Sequence, residues 1–406
     1  MKHMLVSIIM PAFNAEAYIA QAIESILAQT YHQWELIVIN DGSTDNTLNI
    51  VSSFTDHRIR SINQENRGLA GARNTGIRVA QSNTIALLDS DDLWLPEFLK
   101  KMKPLLDQHP EAAAVYCGFR YINELGDEIA SFPSIKVVEP ELFRKKLIFE
   151  GNWLVPSAVL FRKKLAEDVG LFDESLRAVE DADLWIRLSA ARPFIGLPEA
   201  LVKYRRHDSN MSKDPERMFT ADYRLWEKMF GPPEGEPSSW PEMKLRGYAQ
   251  LFRSGTSRYL AYGNVEKSAH YFQKLVEISP SSGLSMGLWR GLVRAHFPEV
   301  YQFTPDVQLD WVLAQKDIMA LLGELAGRRA TSAPLQKSFP RIKATAFQAL
   351  ADEAVRANDL SRALAWLSHA LLSSPSILLS RPYWGTLSRG AIRLGRSLVA
   401  KIGDRQ

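Results

Sequence analysis

The chain has 406 residues, of which 46% are hydrophobic and 23% are charged. This composition is typical of a globular protein and excludes a mainly disordered chain, and the length favours two domains. The formal net charge of +3 is too small for a dedicated nucleic-acid-binding protein, so we expect no nucleic-acid partner.

The amino-terminal region carries no export signal that we can identify. Met1 to Met10 passes directly into an apolar strand-like run, without the long apolar core and cleavage site of a signal peptide. No stretch approaches the roughly 20 apolar residues that a membrane span needs. We therefore expect a cytoplasmic protein with, at most, peripheral membrane contact. The single cysteine, Cys117, lies in an apolar run and is predicted to be a buried strand residue.

From Leu5 to Phe119, short β-rich runs alternate with helical patterns. This alternation predicts an α/β fold with a mainly parallel sheet. The predicted strands are Val6–Met10, Leu36–Asn40, Ile59–Asn63, Ile85–Leu88 and Ala113–Phe119. The predicted helices are Glu16–Gln29, Thr47–Phe54, Ala70–Gln81 and Pro96–Gln108.

Polar residues follow three of these predicted strands. Pro11-Ala12-Phe13-Asn14 follows the first, Asp41-Gly42-Ser43-Thr44-Asp45 follows the second, and Asp89-Ser90-Asp91-Asp92 follows the fourth. Sheets of this kind bind ligands beyond the carboxyl ends of their strands. We therefore expect the ligand site at this edge of the sheet.

Asp89 and Asp91 emerge together at that edge, where a diphosphate could lie. Mg²⁺ and Mn²⁺ prefer oxygen ligands, and Mg²⁺ is often held by one or two carboxylates plus substrate phosphates. The spacing therefore suits a metal bridge. The alternative is that the acidic residues cap a helix beginning at Leu93, and we assign that role to Asp92.

A segment with small residues and two arginines, Asn66 to Asn74, stands at the start of the third predicted helix. Helix amino termini and guanidinium groups both attract phosphate, so Arg73 is a candidate phosphate or site-shaping residue, with a structural ion pair as the alternative. The glycines match neither a P-loop nor a dinucleotide fingerprint.

Two later segments carry further candidates. Glu180-Asp181 begins a predicted helix, where the acids either favour the helix dipole or include a general base. His207 ends Tyr204-Arg205-Arg206-His207 and is either solvated or a metal ligand.

Four prolines and two glycines between Gly231 and Pro241 predict a linker after a first domain of residues 1–230. Residues 242–406 read as helical. Two groups of residues there are spaced like parts of a tetratricopeptide repeat, although generic helical hairpins explain them equally well. These groups are Tyr259, Gly263, Ala269, Phe272 and Pro280, and Ala351, Ala363, Leu367, Ala370 and Pro375.

The carboxyl-terminal segment Leu387 to Ile402 predicts an amphipathic helix. Its apolar face could enter an anionic membrane while its arginines face the headgroups. The alternative is a closing helix packed on the second domain. The apolar face carries Leu387, Ala391, Leu394, Leu398 and Ile402, and the basic face carries Arg389, Arg393 and Arg396.

In their order along the chain, these motifs closely resemble the large family 2 of inverting glycosyltransferases over residues 4–215. The motifs are jointly specific, although each is modest alone. They are Phe13-Asn14, Ala22 to Thr30, Ile39 to Asp45, Arg67 to Asn74, Leu88 to Asp92, Val169 to Glu174, Glu180 to Trp185 and Tyr204 to His207.

The resemblance implies an A-type glycosyltransferase fold, a Rossmann-like mainly parallel sheet, followed here by an all-α domain. It implies transfer of a sugar, hexosyl-type, from a nucleotide diphosphate sugar to a saccharide or lipid-linked acceptor, with Mn²⁺ or Mg²⁺ as cofactor. Many members serve bacterial surface polysaccharide or lipopolysaccharide assembly.

The same resemblance implies roles for individual residues. Asp181 is the expected catalytic base, and Asp91 is the expected main metal ligand with His207 beside it. Asn40 stands where many members carry an acid. The expected nucleotide-binding residues are Pro11, Ala12, Phe13, Asn14, Asp41, Arg73, Asp89 and Ser90.

Two rival functions use the same residues. An aspartate-dependent phosphatase could use Asp89-Ser90-Asp91, but its motif normally ends in Thr or Val and follows the first strand. The second rival is an inactive nucleotide-binding scaffold whose helical domain binds protein partners. The sequence does not indicate the oligomeric state, the sugar or the linkage, and we expect the loops Asn123–Glu150 and Gly151–Ser157 to set specificity.

Overall fold

The computed structural model describes residues 5–132, 140–150, 152–294, 311–357 and 359–376, and the single positions 382, 386, 388 and 389. The chain divides into two compact units, Met1–Met229 and Phe230–Gln406.

In the described part of the first unit, nine strands form one sheet in the order β3-β2-β1-β4-β8-β6-β9-β5, with β7 paired to β6. The strands are β1 (Val6–Ala12), β2 (Trp34–Asp41), β3 (Ile59–Gln64), β4 (Thr84–Leu87), β5 (Leu93–Trp94), β6 (Ala114–Ile122), β7 (Glu128–Phe132), β8 (Val159–Arg162) and β9 (Phe194–Arg205).

Six of the nine strands in this sheet, β1, β2, β3, β4, β6 and β9, run in the same direction. β1 pairs in parallel with β2 and β4, and β2 with β3. β8 runs antiparallel to both β4 and β6, so β6 and its parallel partner β9 point the same way as β4. The carboxyl ends of β1, β2, β4 and β9 therefore meet at one edge. The predicted α/β fold with a mainly parallel sheet is confirmed.

Helices pack around the sheet because their apolar faces match its buried strands. In β1 and β2 every residue is buried, as expected for strands covered on both faces. The helices of this unit are α1 (Ile19–Leu27), α2 (Thr47–Ser52), α3 (Gly68–Val79), α4 (Phe98–Gln108), α5 (Pro140–Glu150), α6 (Lys163–Asp168), α7 (Glu180–Ala191) and α8 (Pro215–Phe230), the last of which ends at the first residue of the second unit.

The five predicted strands and four predicted helices are all present, with ends that differ by up to three residues. The predicted helix at Leu93 is wrong. Leu93 and Trp94 instead form β5, which pairs antiparallel with Val202 and Lys203 of β9. The cap role that we assigned to Asp92 is therefore also wrong.

The second unit is helical wherever it has regular structure in the described residues, as predicted. Its helices are α9 (Glu242–Ala261), α10 (Val265–Ile278), α11 (Met286–Val293), α12 (Trp311–Arg328), α13 (Ala333–Arg356) and α14 (Leu360–Ser373). α9 and α10 form one helical hairpin, and α13 and α14 form another. The second helix of each hairpin is capped by the side chain of the residue before it, Asn264 for α10 and Asp359 for α14.

The centre of this unit contains buried charge. Asp352 and Glu353 of α13 are both buried. Asp352 accepts a hydrogen bond from the Arg389 guanidinium and forms an ion pair with Arg290 at 2.6 Å, and Glu353 pairs with Arg294 at 2.6 Å. Since buried carboxylates need such partners, these arginines help hold the helices together.

Arg389 was predicted to lie on the basic face of a membrane-binding helix, and here its guanidinium contacts Asp352. Apart from Ser388, the rest of that predicted amphipathic helix, including Leu387 and Arg393 to Ile402, lies outside the described residues. Among the described helices, none combines the length and apolar character required to cross a bilayer.

The close approach of α3 to the sheet depends on Gly76. A Cβ atom at this position would lie 2.4 Å from Ile9 Cγ2 in β1. Gly323 in α12 has nothing within 4 Å of the corresponding point, so it provides a matched control.

We predict that Gly76→Ala destabilises the protein by about 1–3 kcal/mol through overpacking. Gly323→Ala should be neutral or stabilise by up to about 1 kcal/mol, because alanine restricts the unfolded chain. Thermal unfolding of both variants measures the difference. Equal melting temperatures for the two would contradict the packing argument.

Candidate active site

The loops that follow β1 and β2 are joined by hydrogen bonds at the carboxyl edge of the sheet. The Asn14 carboxamide oxygen accepts from the Thr44 N–H at 2.9 Å, and the Asn14 N–H donates to Ser43 Oγ at 3.0 Å. Asn14 itself has a left-handed backbone with φ 49°. Pro11 and Ala12 are buried in β1, whereas 52% of Phe13 is exposed. The segment thus presents one aromatic ring to solvent from a fixed loop.

Asp41 fixes the start of α3. Its two carboxylate oxygens accept from the backbone N–H groups of Arg67 and Gly68, each at 2.9 Å. Gln64 Nε2 donates to the same carboxylate at 2.6 Å. Asp41 is therefore buried and bound to protein groups, and it shapes the loop that leads into α3.

Arg73 of α3 is buried between two carboxylates. Its guanidinium donates to Asp89 at 2.7 Å and to Glu180 at 2.6 Å. Only 1% of the Arg73 side chain is exposed. The two carboxylates raise the pKa of the guanidinium, against the effect of burial. Arg73 therefore joins the loop after β4 to the start of α7.

Asp91 and His207 meet at the same edge. His207 Nε2 lies 2.9 Å from Asp91 Oδ2, and His207 Nδ1 lies 2.8 Å from Ser209 Oγ. The amide nitrogen of Asn210 lies 3.1 Å from His207 Nε2. The Tyr18 ring packs against the imidazole with ring centroids 5.0 Å apart. The imidazole is thus held with one nitrogen facing the Asp91 carboxylate.

This pair fits a divalent cation. Two neighbouring ligands of an octahedral ion with bonds of about 2.1 Å lie about 3 Å apart, close to the separation of Asp91 Oδ2 and His207 Nε2. No cluster of three or more His, Cys, Asp or Glu residues suited to a metal occurs within the described parts of the chain. A cation here would need oxygen ligands from substrate, as Mg²⁺ commonly does.

Asp92 faces the protein interior. Ser157 Oγ donates to its carboxylate at 2.6 Å, and the Arg205 N–H donates at 3.0 Å. Burial, with Asp91 and Asp89 nearby, raises the pKa of Asp92 well above its usual range. Asp92 thereby anchors the loop after β4, Asp89 to Asp92, to β9 and to the segment before β8. We call this loop the acidic loop.

Arg205, the last residue of β9, also supports the acidic loop. It is buried, and its Nε donates to the Asp91 carbonyl at 3.0 Å. Its other nitrogens donate to the Glu124 carbonyl and to Gln21. The sequence motif singled out His207 and gave no reason to distinguish Arg205, since an exposed arginine and a buried one look alike in a sequence.

Asp181 lies at the start of α7, next to Glu180. The residue before this pair, Val179, has φ 55° and ψ 17°, a left-handed conformation that β-branched residues rarely adopt. Asp181 accepts from the Ala182 N–H at 2.8 Å and from Asn152 Nδ2 at 2.8 Å. The strained residue thus sets the direction in which the chain presents Asp181.

The surroundings of Asp181 favour a carboxyl group that titrates near neutral pH. Burial is the largest cause, and the Glu180 carboxylate adds to it, while Arg73 acts in the opposite direction. Together they raise the pKa of Asp181 to about 7. A carboxylate with this pKa is suited to accept a proton in a general-base step.

Comparison with known proteins identifies the family. Residues 7–170 match the family described as Glycosyl transferase family 2. The glycosyltransferase RT0329 of Rickettsia typhi is 33% identical over 236 residues, which cover 55% of this chain and 70% of that protein. The chain belongs to glycosyl transferase family 2, and its mainly parallel sheet followed by a helical region agrees with the A-type fold that the family resemblance implies.

A second relative has a described activity. The Escherichia coli UDP-Glc:alpha-D-GlcNAc-diphosphoundecaprenol beta-1,3-glucosyltransferase WfgD is 50% identical over 120 residues, which cover 29% of this chain and 47% of that protein. The chain spans about half the length, or less, of several curated relatives that it matches.

Among solved structures, Staphylococcus aureus TarS 1-349 in complex with UDP-GlcNAc has a TM-score of 0.47 and 18% identity, over 89% of this chain and 90% of TarS 1-349.

We predict that Arg73→Ala destabilises the protein by about 3–5 kcal/mol, because it leaves the buried Glu180 carboxylate without its partner. The control is Arg67→Ala, which removes a half-exposed pair with Glu174 and should cost less than about 1 kcal/mol. Urea denaturation of the two variants measures both values. A cost for Arg73→Ala as small as that for Arg67→Ala would show that the buried pair has little structural weight.

Proposed function

We propose that this protein is an inverting glycosyltransferase in which Asp181 removes a proton from the acceptor hydroxyl. The observation that carries the proposal is the Arg73 bridge, which joins Asp89 of the acidic loop to Glu180, the neighbour of Asp181. Through this bridge one site contains both a carboxylate of raised pKa and an acidic loop suited to a metal diphosphate.

The donor in this proposal is a nucleotide diphosphate sugar. Its nucleotide would lie against the loops after β1 and β2, where Phe13 offers an exposed ring and Asn14 is fixed by Thr44. Asp89 and Ser90 are partly exposed on the neighbouring loop after β4. Arg73 contributes by shaping this site, since its guanidinium is already bonded to two carboxylates.

Asp91 and His207 would hold Mn²⁺ or Mg²⁺. When bound, the cation supplies positive charge that stabilises the departing diphosphate. The residues of the chain have separate tasks around it: Arg205 holds the Asp91 backbone, and Ser209 orients the His207 ring. Both partners reduce the freedom of the ligand side chains before substrate arrives.

The reaction we propose is a single displacement. The acceptor oxygen forms a bond to the anomeric carbon while the bond from that carbon to the diphosphate oxygen breaks. The acceptor proton passes to an Asp181 oxygen, and the electron pair of the broken bond leaves with the nucleoside diphosphate. Because the acceptor attacks the face opposite the leaving group, the anomeric configuration inverts.

The cellular role that we propose is assembly of a bacterial surface polysaccharide, with a saccharide or lipid-linked acceptor. The support is the relative WfgD, whose name describes glucosyl transfer to a diphosphoundecaprenol-linked sugar. The acceptor of this chain is tested by supplying short lipid-linked and free saccharides to the enzyme, after its donor has been found by a thermal-shift screen of UDP-, GDP- and dTDP-sugars.

We expect Asp91→Asn to abolish sugar transfer while the fold is retained, because the neutral amide lacks the negative charge with which the carboxylate attracts a hard cation. Asp208→Asn is the control, since Asp208 is exposed on the loop after β9, beside His207, and pairs with Lys213. Transfer is measured with Mn²⁺, with Mg²⁺ and with chelator. Wild-type turnover of Asp91→Asn, or activity unaffected by chelator, would refute the metal assignment.

For Asp181→Asn we expect turnover to fall by about 10²–10⁴-fold with little change in donor affinity. Wild-type kcat/KM should rise with pH through about 7, because the carboxyl must lose its proton to act as a base. Asp168→Asn removes an exposed carboxylate paired with Lys164 and serves as the control. If donor binding fell while turnover persisted, Asp181 would hold substrate instead of accepting its proton.

A further inference from the structure

We infer that Asn152 is a positioning residue that holds the Asp181 carboxylate in its orientation for proton transfer. This inference rests on the proposed function, in which Asp181 is the base. The family motifs do not include Asn152, and its segment was predicted only as part of a specificity loop. The contacts of its amide give it a more specific role.

The Asn152 amide is itself held in one orientation. Its oxygen accepts from the Leu154 N–H at 3.1 Å, which leaves the amide nitrogen facing Asp181 Oδ2 at 2.8 Å. Asp181 Oδ1 accepts from the Ala182 N–H. Each carboxylate oxygen thus has one protein donor and keeps a second acceptor position for an incoming hydroxyl. Rotation of the carboxylate would break both hydrogen bonds.

The segment that carries Asn152 also contacts the acidic loop. Five residues further on, Ser157 Oγ donates to Asp92 and accepts from the Asp89 N–H at 3.1 Å. The Ser157 carbonyl accepts from Trp94 Nε1 at 2.7 Å. Ser157 therefore anchors one end of the segment to the acidic loop. Near the other end, Asn152 is hydrogen-bonded to Asp181, the proposed base. The segment from Asn152 to Ser157 thus fixes the distance between the acidic loop and Asp181.

In addition to the neutral Asn152 amide, three charged side chains lie near the Asp181 carboxylate. Glu180 and Asp89 disfavour its ionised form, and Arg73 favours it. Asn152 adds a neutral donor to the ionised carboxylate, which also favours ionisation. Loss of this donor should therefore raise the pKa of Asp181, and a negative charge in its place should raise it further. If Asn152 only shaped the loop, its substitutions would not raise the pKa of Asp181 in this order.

The experiment compares the pH dependence of kcat/KM in wild type, Asn152→Ala and Asn152→Asp. We expect Asn152→Ala to lower kcat by roughly tenfold, with donor KM changed less than about twofold, because the base is misaligned after the donor has bound. The acidic limb of the kcat/KM pH profile should move to higher pH in Asn152→Ala and further in Asn152→Asp. Asn49→Ala, which removes an exposed amide on α2, should leave the profile unchanged.

Asn152→Ala added to Asp181→Asn should cause no further loss of turnover, since the two residues act as a unit. An acidic limb that stays in place in both Asn152 variants would overturn the inference, even if kcat falls. Asn152→Asp conserves size and so covers the case in which Asn152→Ala fails to fold. Wild-type turnover of Asp181→Asn alone would instead refute the proposed base, which distinguishes the two failures.

Discussion

The arrangement of the first unit depends on a positive charge that cannot reach water. Arg73 has lost nearly all of its hydration, and a desolvated guanidinium is stable only where carboxylates replace the lost water. Asp89 and Glu180 do so from segments that are 91 residues apart in the chain. Because the guanidinium nitrogens form a rigid fork, these two segments have little freedom to slide past each other. The separation of the acidic loop and the start of α7 is therefore set by one side chain.

Much of the first unit could be predicted from sequence because its strands and helices differ in period. β1 contains the apolar run Ile8–Ala12 and β2 the apolar run Leu36–Ile39, and α1 has apolar residues at helical spacing. β5 could not be predicted in this way. Its two residues are extended because Val202 and Lys203 offer hydrogen bonds, and this partner strand comes over a hundred residues later. A local pattern contains no information about such a partner.

The same limit applies to the site. The residues with family motifs were identified, but what each one touches was not. Asp92 resembled a helix cap in sequence and is bonded to Ser157 and to the Arg205 N–H, at sequence distances of 65 and 113 residues. Asn152 carries no recognisable motif, and its importance lies only in the carboxylate beside it. Supporting residues of this kind become visible when the chain is folded.

The left-handed backbone at Val179 has a consequence for how this protein responds to selection for heat resistance. A β-branched residue in this region stores roughly 1–3 kcal/mol of strain, and glycine or asparagine would release part of it. Stabilising substitutions should therefore arise readily at position 179 when only folding is selected. They would also loosen the turn that directs Asp181, so stability would be gained at the expense of turnover. A library screened for both properties should retain valine there.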